Sequence, residues 1–347
     1  MPSDSASQPH KRSELGWLPW VAAGAAYGIF LRVFFDMLPE FFQGVMSVAF
    51  LIVTPLVIGG LTVYGARHND PKLSYCIIAP WAAIALMMLG CAITLLEGSI
   101  CIALMTPLFL ACGSIGGLAM RYSLKIVKRN SVTLKATALL PLLVIIGEGQ
   151  GSLDNNEEEI RRAIEINASA SVIWNQIIDA RAISPTELPF SFAHLIGVPK
   201  PIEGVNRVSG NDTIRYSTWE KGVHFKGRIS EQIENKSITW RYQFDEGSFP
   251  AGSMDEHVEI GGRYFDLRDT TFNLYALSES VTRLEVVAHY RVTSSVNFYA
   301  VPVARFFGRD FLDMLLGLYK GRSEKASVPE DLAKRMDSAA AEAESGH

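Results

Sequence analysis

No cysteine follows Cys112, so no disulfide can staple the last two thirds of the chain, and cysteines report nothing about the redox compartment of that part. Charge is scarce before residue 148. Ten Lys+Arg and six Asp+Glu lie there, against 22 and 30 beyond it. A basic surplus is missing where it would matter for nucleic acid: the first part carries about +4 and the second about −8, and phosphates need a basic face. Nucleic acid is therefore not an expected partner. The chain also lacks a nucleophile elbow, a phosphate-binding glycine loop and a dinucleotide fingerprint. Its apolar runs contain no row of ionisable residues, which argues against a proton relay or ion pore.

Long apolar runs are what the first part does have. Mean hydropathy of the 347 residues is +0.17, and the apolar residues concentrate in segments of about 17–35, 44–65, 76–96 and 99–120. Each has the roughly 20 residues that a helix needs to cross about 30 Å of hydrocarbon. Backbone groups in lipid must be satisfied within the segment, so these are expected to be helices. A weaker run, about 132–147, is interrupted near its start by Lys135 and carries Pro141 in its middle. It is expected to span with Lys135 snorkelling, the alternative being an interfacial helix. Arg32 is the one charge inside a run. It is placed near the end of its helix to reach the interface, a functional buried cation being the sharper alternative. The four cysteines, Cys76, Cys91, Cys101 and Cys112, read as membrane packing. Gly24-x-x-x-Gly28 and Gly113-x-x-x-Gly117 are spaced for close helix approach. Lys11, Arg12, Arg67, Lys72, Arg121, Lys125, Lys128 and Arg129 fall in alternate loops, while the intervening loops carry Asp36, Glu40 and Glu97. This positive-inside pattern puts the N-terminus in the cytosol. With a fifth span, the second part faces outward from the plasma (inner) membrane, into the periplasm or cell exterior of a bacterial host. The first residues show no cleavage pattern and read as an anchor.

The resulting organisation is a disordered tail over 1–15, a membrane region over 16–148 with four or five transmembrane helices, a polar linker over 149–158, a folded domain over 159–323 and a polar tail over 324–347. In the domain, Ile160, Ile164 and Ile166 read as a strand. Ser169 is placed to cap a helix bearing Val172, Trp174, Ile177 and Ile178. Residues 184–204 hold four prolines and allow only a short helix, about 190–196. Period-two alternation then marks strands at Val223–Ile229, Ile238–Phe244 and Leu284–Tyr290, with two more at 212–219 and 263–277 and turns at 234–236 and 278–280. From about Val301 to Arg322, Val303, Phe307, Phe311, Leu315 and Leu318 share one helix face. The fold class expected is a helical membrane bundle followed by an α+β domain, a curved antiparallel sheet wrapped around a long C-terminal helix.

This order, with Ile164-Glu-Ile-Asn-Ala-Ser-Ala-Ser-Val-Ile-Trp174, resembles the START/polyketide-cyclase (SRPBCC) superfamily over about 159–323. Met254-Asp-Glu-His-Val-Glu-Ile-Gly-Gly-Arg-Tyr-Phe-Asp266 and Tyr290-Arg-Val-Thr-Ser-Ser-Val-Asn-Phe-Tyr-Ala300 are similar to a little-characterised subgroup. The resemblance implies an apolar cavity between sheet and helix that binds lipids, sterols or polyketides, in some branches with catalysis. The membrane part has no counterpart in the common family pattern.

Phe225, Trp240, Tyr242, Tyr290, Phe307 and Phe311 are the side chains expected to line such a space, as a ligand site or as a closed core. Asp255, His257 and Tyr264, with Asp266 and Arg268 nearby, are the candidates for acid–base chemistry, against the plainer reading of a polar loop. Arg228, Arg241, Arg268 and Arg291 offer an anionic headgroup site or a solvated strand face. His289 is the one obvious addition toward a metal, and its parity points it away from the apolar face, so neither metal nor cofactor is expected. Sequons at Asn167, Asn211 and Asn235 are taken as chance. The leading functional expectation is a membrane-anchored module binding a lipid or other apolar molecule. A sensor or assembly factor contacting a membrane-protein partner, and a cyclase- or dehydratase-like enzyme, are the alternatives.

Overall fold

The computed structural model describes residues 17–38, 44–67, 71–126, 131–148, 153–210 and 212–328. The tail expected over 1–15, most of that over 324–347, and Asn211 lie outside the described residues. The chain divides into two compact units, a helical one ending at Ser152 and a sheet-and-helix one that begins its main run at Leu153.

In the helical unit, α1 (Leu18–Asp36), α3 (Leu73–Ile93) and α4 (Ser99–Ile126) are long and apolar enough to cross a membrane. The second run is less regular than expected. It opens as a 3-10 turn at Gly44–Met46, continues through a wide π turn at Ala49–Val53, and becomes α2 (Thr54–Gly65), with Pro55 in the first turn where its missing N–H is harmless. Its continuous part, Ala49–Gly65, is shorter than a full span. The third run also stops early, at Ile93 rather than 96, because Leu95 takes a left-handed backbone (φ 55°). The fifth run forms α5 (Ser131–Glu148), apolar from Thr137 onward. Tyr27 donates to the Ala138 carbonyl at 2.5 Å, and Glu148 accepts from the Ala49 amide at 3.1 Å. Those contacts are ten residues apart, about 15 Å of helix, so α5 lies along the bundle. Arg32 does not reach out alone. It is buried, bonded to Glu97 at 2.5 Å and the Leu96 carbonyl at 2.8 Å, and paired with Asp36 at 3.0 Å. Close helix approach is set by glycine: a Cβ on Gly59 would fall 2.0 Å from the Gly113 carbonyl oxygen, and one on Gly117 2.2 Å from that of Cys76.

The second unit is built on one antiparallel sheet in the order β1-β8-β7-β6-β5-β4-β3-β2. Its strands are β1 (Asp154–Ile166), β2 (Asp179–Ala180), β3 (Pro201–Ser209), β4 (Asp212–Trp219), β5 (His224–Ile233), β6 (Ser237–Gln243), β7 (Phe265–Ala276) and β8 (Thr282–Ser294). Helices α6 (Ala170–Ile178), α7 (Phe192–Leu195) and α8 (Asn297–Ala326) complete it. Two boundaries correct the sequence expectation. Strand β1 starts at Asp154, inside the stretch read as linker, because Asp154–Glu158 pair with Ser294–Tyr290 despite their polarity. Strand β3 starts at Pro201, inside the proline-rich stretch read as loop. A proline at the first position of a strand leaves the ladder beyond it intact.

Bulges curl the sheet at Pro201/Glu203, Ile229/Glu231 and Leu267/Asp269. The last flips parity within β7. Phe265 and Leu267 join the interior before it, and Thr270, Phe272 and Leu274 after it. Helix α8 crosses the concave face with Ala304, Leu312, Leu316 and Tyr319 toward the core. Beside this row, Leu315 and Leu318 of the expected stripe of Val303, Phe307, Phe311, Leu315 and Leu318 also join the core, and Phe311 packs on a smaller apolar cluster. Gly308 belongs to the row of Ala304, where a Cβ would come 2.4 Å from the Ile160 Cδ1. Ion pairs fasten α8 to its surroundings: Arg305 to Glu158 at 2.5 Å, Arg162 to Asp313 at 2.6 Å and Arg322 to Glu187 at 2.6 Å.

Candidate functional site

Two apolar clusters occupy the concave side. The larger contains Ile166, Trp174, Ile177, Phe272, Leu284, Val286, Leu316 and Tyr319, all buried, with partly buried side chains such as Ile164, Ile229 and Leu315 packed against it. The second lies around Trp219, Val223, Phe225 and Ile260, and most of what packs on these four is only partly buried: Val198, Tyr242, Phe244, Phe249, Met254 and Phe311 among them. Its rings touch in sequence, Trp219 to Phe311 at 5.3 Å, Trp219 to Phe225 at 5.2 Å, Phe225 to Tyr242 at 5.7 Å and Phe244 to Phe249 at 5.8 Å. Tilted and edge-on geometries at these separations are attractive.

Of the aromatic residues expected to line a ligand space, the structure brings Phe225, Tyr242 and Phe311 together here. Trp240 and Tyr290 sit in the larger core, Trp240 stacked on Phe272 at 5.2 Å and Tyr290 against Phe265 at 5.6 Å. Phe307 meets Phe306 edge-on at 5.1 Å. A polar chain runs between the two clusters: the Trp240 indole donates to the Tyr242 hydroxyl at 2.9 Å, which donates to the Thr270 hydroxyl at 2.9 Å. Burial pushes the Tyr242 phenol above its ordinary value, opposed by those hydrogen bonds.

The acid–base candidates share one segment. Asp255 precedes a single 3-10 turn, Glu256–Val258, and the His257 ring stacks on Tyr264 at 5.6 Å. Met254 and Ile260, on the same segment, reach the aromatic cluster. Burial, then the neighbouring Glu256, holds the Glu259 carboxyl above its ordinary value. Asp266 is engaged by Arg268 at 2.7 Å and Arg291 at 3.7 Å, and Arg228 by Asp212 at 3.0 Å. Arg241 is exposed. These four arginines lie outside both apolar clusters. His289 bonds Asp269 at 2.7 Å and Glu159 at 3.3 Å, away from the core, and the Asp269 hydrogen bond raises its pKa above the ordinary histidine value.

Two polar groups of the interior escaped sequence reasoning. His194, on α7, stands edge-on to Phe311 at 5.9 Å. Its Nδ1 lies 3.0 Å from the Val198 carbonyl, which can only accept, so Nδ1 carries the proton. Nε2 is then a lone pair, buried and without a hydrogen-bond partner among the described residues. Burial pushes the imidazole below its ordinary value. Arg215, on β4, is 6% exposed and lies with its guanidinium carbon 4.6 Å from the Trp240 ring centre. A lone titratable residue in the otherwise largely apolar segment Phe190–Ile196 was the available signal for His194. Arg215 alternates with Ser217 and Trp219 on the inward side of β4, a parity that a sequence of mostly polar residues does not reveal.

A continuous antiparallel sheet whose ends curl around one long helix, with α6 and α7 inserted between its first strands, defines the architecture of this unit. The fold is START-like. Among solved structures, it is similar to a START superfamily protein from Mycobacterium smegmatis, 17% identical over 49% of this chain and 99% of that one (TM-score 0.33). Norcoclaurine synthase from Thalictrum flavum, in complex with dopamine and hydroxybenzaldehyde, is 14% identical over 50% and 91% (TM-score 0.31). The Zhui aromatase/cyclase from Streptomyces sp. R1128 is 11% identical over 50% and 100% (TM-score 0.30). No protein-family model matches the chain, and no curated protein does.

Proposed function

We propose that the START-like unit binds a lipid or other apolar small molecule at its aromatic end, and that the helices preceding it anchor this binding module in a membrane. The observation that carries the reading is the incomplete burial of Tyr242, Phe244, Phe249 and Phe311 on the concave side, around a cluster with only four buried members among the described residues. Apolar surface left open inside a fold gains about 25 cal/mol for every Å² that a ligand covers. Phe225, Tyr242 and Phe311 would supply the contact area, the Tyr242 hydroxyl and His194 Nε2 the polar handles. The membrane supplies a reservoir for such molecules.

The test is native mass spectrometry of the full chain released into a mild detergent, with organic extraction of whatever remains bound. A one-to-one apolar adduct is expected, and Val198→Trp, which adds bulk at the aromatic end, should remove it. An adduct that survives the substitution is lipid held elsewhere and counts against the reading, as does wild-type protein with nothing bound.

Acid–base chemistry on the bound molecule is the second reading, favoured by one observation. His194 offers an unprotonated nitrogen inside the aromatic end. It is better placed for proton abstraction than His257, whose ring stacks on Tyr264.

A further inference from the structure

Arg215 and Glu285 are the two buried charges among the described residues of the second unit, and the groups that contact Arg215 are neutral. Strand pairing sets it between Asn206 of β3 and Gly227 of β5. Its Nη1 donates to the Ile177 carbonyl at 2.7 Å and to the Asn206 side-chain oxygen at 3.3 Å, and its Nη2 donates to the Tyr319 hydroxyl at 3.2 Å. Gly204 leaves room for the group, since a Cβ there would sit 2.4 Å from Nη2.

Arginines that are far more exposed, such as Arg162, Arg228, Arg268 and Arg305, each reach a carboxylate within 4.0 Å. Arg215 reaches none among the described residues. A guanidinium stays protonated at every accessible pH, so the charge cannot be shed to relieve burial. The carbonyl end of α6, at Ile177, offers about half a negative charge, and the Trp240 face a weaker attraction. Five N–H groups meet three acceptors, so one N–H on Nη2 and that on Nε, on adjacent nitrogens of a planar fork, are unused among the described residues.

Resting on the binding-module reading above, we propose that Arg215 anchors the headgroup of the bound molecule, which is therefore an amphiphile with an oxyanion, a carboxylate or a phosphate monoester, on an apolar tail. The two oxygens of such a group match the two adjacent unused donors. Trp240 and Tyr242, which link Arg215 to Phe225 and Phe311, lead the tail from the cation to the aromatic end.

The experiment uses the full chain in lipid nanodiscs and a photoactivatable twelve-carbon fatty acid, with labelling of residues 153–328 read by peptide mass spectrometry. Dodecanoate, dodecyl phosphate and methyl dodecanoate compete. Either anion is expected to displace the probe at concentrations at least ten-fold lower than the neutral ester, and the stronger of the two identifies the headgroup. Arg215→Met should erase the difference, and Arg215→Lys, which keeps the charge but not the fork, should retain part of it. Equal competition by acid and ester in wild-type protein overturns the assignment without touching the binding-module reading and needs no variant to fold. Failure of any probe to label the domain overturns both.

Discussion

At the residue scale, the interior of the START-like unit depends on polar groups that each have a defined task. Tyr242 is the hinge of one such set, accepting from Trp240 and donating to Thr270. Tyr242→Phe strands a buried indole N–H. It should cost about 1–3 kcal/mol, read as an earlier midpoint in denaturant. Tyr242→Ala should cost more, because it also removes ring contacts with Phe225 and Phe244. Two histidines should titrate in opposite directions from the ordinary value near 6.5: His194 lower, through burial, and His289 higher, through Asp269. The raised pKa of His289 gives a stabilisation that is fully present below the unfolded value and lost as pH rises through the folded one. His289→Gln should therefore flatten the decline in stability as pH rises above the ordinary histidine value, as thermal melts at stepped pH would show. Residue roles were the part least legible in the sequence. Arg228, Arg241, Arg268 and Arg291 stood out because they alternate with apolar residues, and that same alternation puts them on the outer face. Arg215 did not stand out, because Asp212–Trp219 is polar on both parities.

At the scale of elements, most of the architecture followed from periodicity. The strands near 223–229 and 238–244 show clean alternation because one face meets the core and the other water, while that at 284–290 keeps the pattern although Glu285 and Val287 on its second face are buried too. What failed did so for local reasons. A bulge at Leu267/Asp269 swaps the inward parity of β7, so no single face of Arg263–Leu277 reads as apolar. Prolines concealed β3, and polar pairing with β8 concealed the start of β1. On helix α8 the bulky stripe is joined by a second row that the sequence did not show, because Ala304 and Gly308 let the helix approach β1, and small residues carry little weight in a hydrophobic stripe. The same principle operates between α2 and α4. Gly59→Leu would drive a side chain into the Gly113 carbonyl. It should lower stability by about 1–3 kcal/mol or more, measured as the thermal midpoint of full-length protein in detergent. A midpoint equal to wild type would mean that the α2–α4 approach is not tight.

At the scale of the whole molecule, three helices suited to crossing a membrane precede the START-like unit, and α5 lies along the bundle. We propose that α5 completes the set of crossings and places the unit outside the cytosol, as the loop charges indicate. Ser280 is exposed in the turn between β7 and β8, and the native cysteines are buried. A Ser280→Cys variant should thus react with an impermeant maleimide in intact cells; reaction only after lysis would put the unit in the cytosol. Strand order has a further consequence for how such a chain is made. Asp154 pairs with Ser294, and α8, which fills the concave side, comes later still. The first strand synthesised must wait for the last strand, and for the helix after it, before it has neighbours. The sheet can close only once the chain has been made as far as Ser294, and its concave side can fill only once α8 has followed, so the polar first half of β1 has no strand partner during most of the unit's synthesis.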